Sequence, residues 1–419
     1  MALTAVPLFF VLVGLTCYIV LAGADFGAAV WQITAPQTRE GRRIRDFAHN
    51  VMAPVWEANH VWLIFVLTVT WTAYPAAFGS IAATLSIALI VAALGIVIRG
   101  AAYAVSAGTS GPRQVRDLDF VSAISSIVTP FALGACVGGI ASGRVRYGKA
   151  QGDLVSSWLN PTSAVIGALA IAISAYLAAV YLCDDAQRRG EHALVAPYRR
   201  RALGAGTVAG LLAFAGLGVV QRDAHPLYRE LIAGPGLPAV IVSGAAGVSA
   251  LGLVLRRRFQ LARLAAALAV AAIVAGWARA QQPQLLPGLT LDQAAAPRGT
   301  LIAVIVAVAG GGSVVIPSLL VLLGLSVAGR LGDDSADGDS VDARNDSVRT
   351  PGLHPARAGR LATACLIGGF GFLTVAEVGW AHAIGVTMLL AAIALGLVAA
   401  APALLEDNES DGSSRSRAP

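Results

Sequence analysis

The chain has 419 residues, 56% of them hydrophobic and 13% charged, with a mean hydropathy of +0.71. Soluble domains carry about 25% charged residues, so these values exclude a soluble globular protein and define an integral membrane protein. The net charge of +6 is not a nucleic-acid signal, because arginines in cytoplasmic loops account for it.

In chain order, apolar segments of spanning length occur at Val6–Ile33, Pro54–Phe78, Ile81–Val105, Phe120–Ile140, Thr162–Cys183, Ala202–Val220, Leu237–Leu255, Leu261–Ala280 and Thr300–Val327. Nine transmembrane helices are expected. No cleavable signal peptide is expected, because no basic residue precedes the first run and that run continues past about 15 residues. A further stretch, Leu361–Ala401, is about twice the length of one span. Gly379-Trp380-Ala381-His382 could turn it, so one or two extra C-terminal helices are expected. This divides the chain into a transmembrane domain (1–330), an acidic disordered loop (331–357), an extra helix or hairpin (358–402) and a disordered tail (403–419).

Loops after odd-numbered spans hold twenty basic residues, and loops after even-numbered spans hold seven. The positive-inside rule then places the N-terminus outside and the C-terminus in the cytoplasm. Cys17, Cys136, Cys183 and Cys365 lie in or beside apolar runs with no metal-like spacing, so no disulfide or metal–sulfur site is expected.

Ionisable residues inside spans are expensive, at roughly 2.5–3.5 kcal/mol each on insertion scales. Four stand out: Asp25, Glu57, Arg99 and Glu377. Asp25 lies eight residues from the inner end of the first span, Glu57 in the first turns of the second, and Arg99 near the inner end of the third. Short connections make these spans neighbours, so the three charges are expected in the cytoplasmic third of the membrane as mutual partners. One reading is a structural ion-pair lock flanked by Trp56 and Trp62. Another is a proton path through the buried carboxylates. A third is a metal, because Glu57 and His60 form the Glu-x-x-His spacing of di-iron bundles. That site needs a second such motif and further Glu, which the spans lack, so no metal is expected. Of the six histidines only His60 and His382 lie in apolar stretches, so haem held by a facing His pair is not expected in this chain. Gly23-x-x-x-Gly27 brackets Asp25 and Gly134-x-x-x-Gly138 recurs in the fourth span, both permitting close helix approach.

Pro54-Val55-Trp56-Glu57-Ala58-Asn59-His60-Val61-Trp62-Leu63 resembles the Pro-x-Trp-Asp-Gly-Asn-x-Val-Trp-Leu signature of subunit II of cytochrome bd-type quinol oxidases. Gly23-Ala24-Asp25-Phe26-Gly27 is similar to that subunit's helix-one motif. Arg42-Arg43-Ile44, Tyr74-Pro75, Ala76-Ala77-Phe78, Arg99-Gly100, Thr129–Gly134, and Leu285-Leu286-Pro287 with Leu289-Thr290 extend the likeness over about residues 1–327. Glu57 stands for the usual Asp, Ala58 for Gly, and His60 for Gln or Glu. Ala22 replaces a preceding acid, and Leu361–Ala401 has no family counterpart.

The resemblance implies an all-α membrane fold of nine core helices, arranged as two four-helix bundles plus one. It implies a haem-free subunit in the bacterial cell membrane, bracing a haem-bearing subunit I that carries haem b and haem d and reduces O₂ with quinol. A structural quinone in this chain and a small accessory membrane subunit are compatible with it. The implied proton route runs through Asp25 and Glu57, with Arg99 setting charge balance and Trp56, Asn59 and His60 lining the path. The competing function is a multi-pass secondary transporter with a buried Asp/Glu/Arg site. Such proteins place broken helices at matching positions near the midplane, and no convincing pair of breaks is visible.

Overall fold

The computed structural model describes residues 3–106, 112–148 and 153–327, with isolated positions beyond; the side chains of 53–58, 103–106, 112–119 and 314–327 lie outside the description. The chain divides into two units, Met1–Val327 and Ala328–Pro419. The acidic loop, the extra helices, the tail and Glu377 expected in the second unit fall outside the described residues.

The described residues of the first unit are mostly helical. After a 3-10 turn at Leu3–Ala5 come α1 (Val6–Ile33), α2 (Arg39–Ala73), α3 (Pro75–Thr84), α4 (Ser86–Ser106), α5 (Pro112–Ala141) and α6 (Pro161–Arg188). Then follow α7 (His192–Asp223), α8 (His225–Ile232), α9 (Leu237–Leu255), α10 (Phe259–Gln281), a hairpin β1 (Gln284–Leu286) and β2 (Leu289–Thr290), α11 (Leu291–Ala294) and α12 (Arg298–Val327). Helix is the expected solution in lipid, where every backbone polar group must find an internal partner.

The long helices follow the order of the apolar segments. Among the described residues, six are long and apolar enough to cross a membrane, and α3 with α4 would make a seventh. Apolar stretches in α2 (Asn59–Ala73) and α12 (Arg298–Ser313) are shorter than a full span within the described residues.

Several helices start before the apolar segments expected from sequence, α5 at Pro112 and α7 at His192 among them, and two further boundaries change the reading. The third segment is not one span from Ile81, because α3 and α4 are bent by 84° at Leu85. Both arms are apolar, so hydropathy runs through the break without registering it. The second helix begins at Arg39, not near Pro54. Its first turns, Arg39–Asn50, are charged and fail a hydropathy test, yet they are helical and capped by Thr38, whose side chain accepts from Gly41 N. Glu57 therefore sits five turns inside α2, not in its first turn or two.

α1 and α6 form the centre: α2 packs on α1, α7 on α6, α5 on both, α4 on α5, and α10 on α1, α6 and α9. Small residues bring the two central helices together. A Cβ on Gly27 would collide with the Ser174 carbonyl of α6, so the backbones touch beside Asp25. One buried cluster joins α1, α2, α6, α7, α9 and α10 through residues such as Ala48, Leu182, Tyr198, Val254 and Phe259. At that end Tyr198 donates to the Ile44 carbonyl (2.7 Å) and Arg43 pairs with Glu191 (2.9 Å). A second cluster closes the opposite end around Tyr74, Leu85, Leu286 and Leu301. There Tyr74 donates to the Thr4 carbonyl (2.6 Å), and Ala296 N–H donates to the Ala73 carbonyl (2.8 Å).

Candidate functional site

Arg99 on α4 reaches across to α1. One of its guanidinium nitrogens lies 2.5 Å from Asp25 Oδ1 and 3.2 Å from the Asp25 carbonyl. The other donates to Ser126 Oγ on α5. Ser126 in turn donates to the Ser122 carbonyl (2.6 Å), which leaves its oxygen turned toward the arginine. The Phe26 ring lies 5.3 Å from the guanidinium carbon and gives the cation an aromatic face. Neither side chain of the pair is more than 2% exposed.

The carboxylate's other side is polar but less complete. Asn59 and His60 of α2 face Asp25, as does Tyr18, two turns back on α1. Asn59 is 1% exposed, and neither atom of its amide has a hydrogen-bond partner among the described residues. Asp25 Oδ2 and the Tyr18 hydroxyl share that condition. Buried polar atoms of native proteins are almost always satisfied, by protein or by ordered water. Acceptors on Asp25, an amide on Asn59 and a hydroxyl on Tyr18 together make a polar setting that suits internal water.

The structure thus brings together Asp25, Arg99, Asn59 and His60. It adds Ser126, Phe26 and Tyr18, which the sequence reading did not single out. Ser126 stands in a run with Ser122 and Ser125, and only the α4–α5 packing distinguishes it. The side chains of Trp56 and Glu57 lie outside the described residues. Their backbone follows α2 one turn before Asn59 and His60.

Among the described residues no three His, Cys, Asp or Glu side chains converge as a metal site requires. Two clefts lie at the other end of the molecule on either side of Asp223, one lined by Ser142, Arg144, Arg146 and Asp153, the other by Pro161, Val219 and Arg222. There Asp223 binds Arg144 through both oxygens (2.7 and 3.0 Å) and accepts from the Thr162 hydroxyl (2.6 Å). This ties the ends of α5, α6 and α7 and stands apart from the buried pair.

Fold and site define a multi-pass, all-α membrane protein with a desolvated ion pair at the crossing of its first, third and fourth long helices. The model of the cytochrome bd terminal oxidase subunit II family matches residues 3–325, and the chain belongs to that family. It is 24% identical over 219 residues to the putative cytochrome bd menaquinol oxidase subunit II of Bacillus subtilis (strain 168). That match covers 51% of this chain and 62% of the relative, so it spans less than two thirds of the relative's length. The fold is similar to a chain of the bd oxidase from Geobacillus thermodenitrificans, with a TM-score of 0.61, 24% identity, and coverage of 78% of this chain and 98% of that one.

Proposed function

We propose that this chain is the haem-free subunit II of a bd-type terminal quinol:O₂ oxidoreductase. It braces a haem-bearing subunit I, which holds haem b and haem d, and gives protons a route from the cytoplasm for reduction of O₂ to water. Family membership supports the assembly. The single observation that supports the proton route is the one-sided satisfaction of Asp25. One oxygen is held by Arg99, while the other faces buried amide and hydroxyl groups that have no hydrogen-bond partner among the described residues.

In this reading Arg99 holds Asp25 in place, and water held by Asp25 Oδ2, Asn59 and Tyr18 carries the proton. Glu57 and Trp56, one turn before Asn59 along α2, belong to the same route, and His60 borders it. The N-terminus lies outside and the arginine-rich end faces the cytoplasm. A structural quinone and a small accessory membrane subunit remain compatible with this assignment.

Purification from native membranes tests the assembly. A second integral subunit should co-purify, and the preparation should show d-type haem absorbance and oxidise quinol. A lone, colourless chain that binds a small solute would overturn the reading in favour of a transporter.

A further inference from the structure

α9 and α10 are joined by three consecutive arginines, Arg256, Arg257 and Arg258, all exposed. The turn is a glycine-type helix stop. Arg258 N–H donates to the Leu253 carbonyl (2.9 Å) and Arg257 N–H to the Val254 carbonyl (3.2 Å), with Arg257 in the left-handed region at φ 57°. Glycine is the usual residue there, because a Cβ makes the conformation costly. The chain has arginine at the position where backbone energetics favour glycine, and strain kept in this way marks positions held for another purpose.

That purpose is not capping of the helix. Arg199 of α7 already serves the last carbonyls of α9, donating to Val254 O (3.0 Å) and Leu255 O (2.8 Å). Nor is it ion pairing within the unit. None of the three guanidiniums has an ion pair or side-chain hydrogen bond among the described residues. The sequence has no Asp or Glu from Leu231 to Leu291. At the same bundle end, Asp184 is taken by Arg188 (3.0 Å) and Arg263 (2.6 Å), and Glu191 by Arg43 (2.9 Å). Below the triplet, α10 presents the exposed stripe Leu261, Leu264 and Leu268, at the spacing of one helix face.

We infer that the Arg256–Arg258 turn with this stripe is a binding site for an anionic phospholipid of the bilayer. The phosphate sits on the guanidiniums and an acyl chain lies along Leu261, Leu264 and Leu268. Guanidinium is suited to phosphate because its planar fork matches two oxygens and it stays charged. Clustered arginines at the membrane boundary attract anionic lipid additively, and the leucine stripe distinguishes a lipid from a free anion.

The test uses the full chain in the complex isolated from membranes, exchanged into neutral-detergent micelles and titrated with dioleoylphosphatidylglycerol or dioleoylphosphatidylcholine. Retained lipid is read by native mass spectrometry and stability by thermal midpoint. Wild type should retain phosphatidylglycerol and gain thermal stability from it, and should do neither with phosphatidylcholine. The triple variant R256Q/R257Q/R258Q should lose roughly a hundred-fold in phosphatidylglycerol affinity, the combined effect of three near-surface arginines. Arg257→Gly relaxes the turn, so it should raise the lipid-free midpoint while lowering the phosphatidylglycerol response, a combination that misfolding does not produce. Equal retention of both lipids, unchanged phosphatidylglycerol affinity in the triple variant, or the same stabilisation by inorganic phosphate in phosphatidylcholine micelles would each overturn the inference.

Discussion

Arg99 and Asp25 stand 74 residues apart in sequence and 2.5 Å apart in space, and each is almost wholly removed from solvent. A buried pair of this kind is weak evidence for net stabilisation, because desolvation offsets much of the attraction. Breaking it is another matter, since the surviving charge is left uncompensated.

Arg99→Ala should therefore cost about 3–5 kcal/mol, seen as a large drop in thermal midpoint or in yield of assembled complex. The double variant Asp25→Asn/Arg99→Met removes both charges and should recover much of that loss without recovering turnover. A double variant no more stable than Arg99→Ala would show that the pair is not what holds these helices.

Asn59→Leu separates stability from the proton route. Asn59 faces Asp25, and its amide makes no well-formed hydrogen bond among the described residues, so replacing it with an apolar side chain of similar size should leave the thermal midpoint nearly unchanged. If the amide orders water beside Asp25, quinol oxidase turnover should fall by up to about a hundred-fold, the low end of what positioned proton transfer contributes. Turnover at the wild-type level would remove Asn59 from the route.

Glu57→Gln keeps the shape of the side chain and removes its exchangeable charge. Assembly and haem content should match wild type while steady-state turnover drops. Full turnover would leave Glu57 with a structural role only.

Gly27→Ala should destabilise by about 1–3 kcal/mol, the usual cost of overpacking. The added methyl meets the backbone carbonyl of Ser174, which cannot step aside as a flexible side chain would. Gly79→Ala, in α3 with open space around it, should be neutral or stabilising by about 0.5–1 kcal/mol. Comparison of the two thermal midpoints checks the close approach of α1 and α6.

Asp223→Ala should cost about 1–2 kcal/mol, because it releases a two-pronged arginine contact and the Thr162 hydroxyl at a partly exposed site. Glu191→Gln, in an exposed pair with Arg43, should change stability by less than about 0.5 kcal/mol. Differential scanning of the two variants ranks the contacts.

The helices were legible wherever apolarity and helix coincide, as in α1, α6 and α9. The sequence reading lost the start of α2, since Arg39–Asn50 is helical but charged. It lost the break at Leu85, since an 84° turn between two apolar helices leaves hydropathy untouched. At the site, Asp25 and Arg99 could be found because charge inside a span is costly and therefore conspicuous. Ser126, Phe26 and Tyr18 could not be, since serines, phenylalanines and tyrosines are ordinary in membrane helices and only packing gives these three a role. Gly23 and Gly27 carried a usable signal, though nothing in their spacing named α6 as the partner.

The separation of Asp25 from Arg99 also orders events during synthesis. Asp25 lies on α1, and its counter-ion is translated 74 residues later. At about 5–20 residues per second this is a delay of roughly 4–15 s. For that interval α1 carries its carboxylate without the arginine, and the strong apolarity of the helix, with a mean hydropathy of 2.5 over an 18-residue stretch, must hold it at the membrane alone. Ser126 arrives later still, so the site is complete only when α5 has been made. Membrane insertion of this protein is thus a timed process, with α1 waiting for α4 and α5.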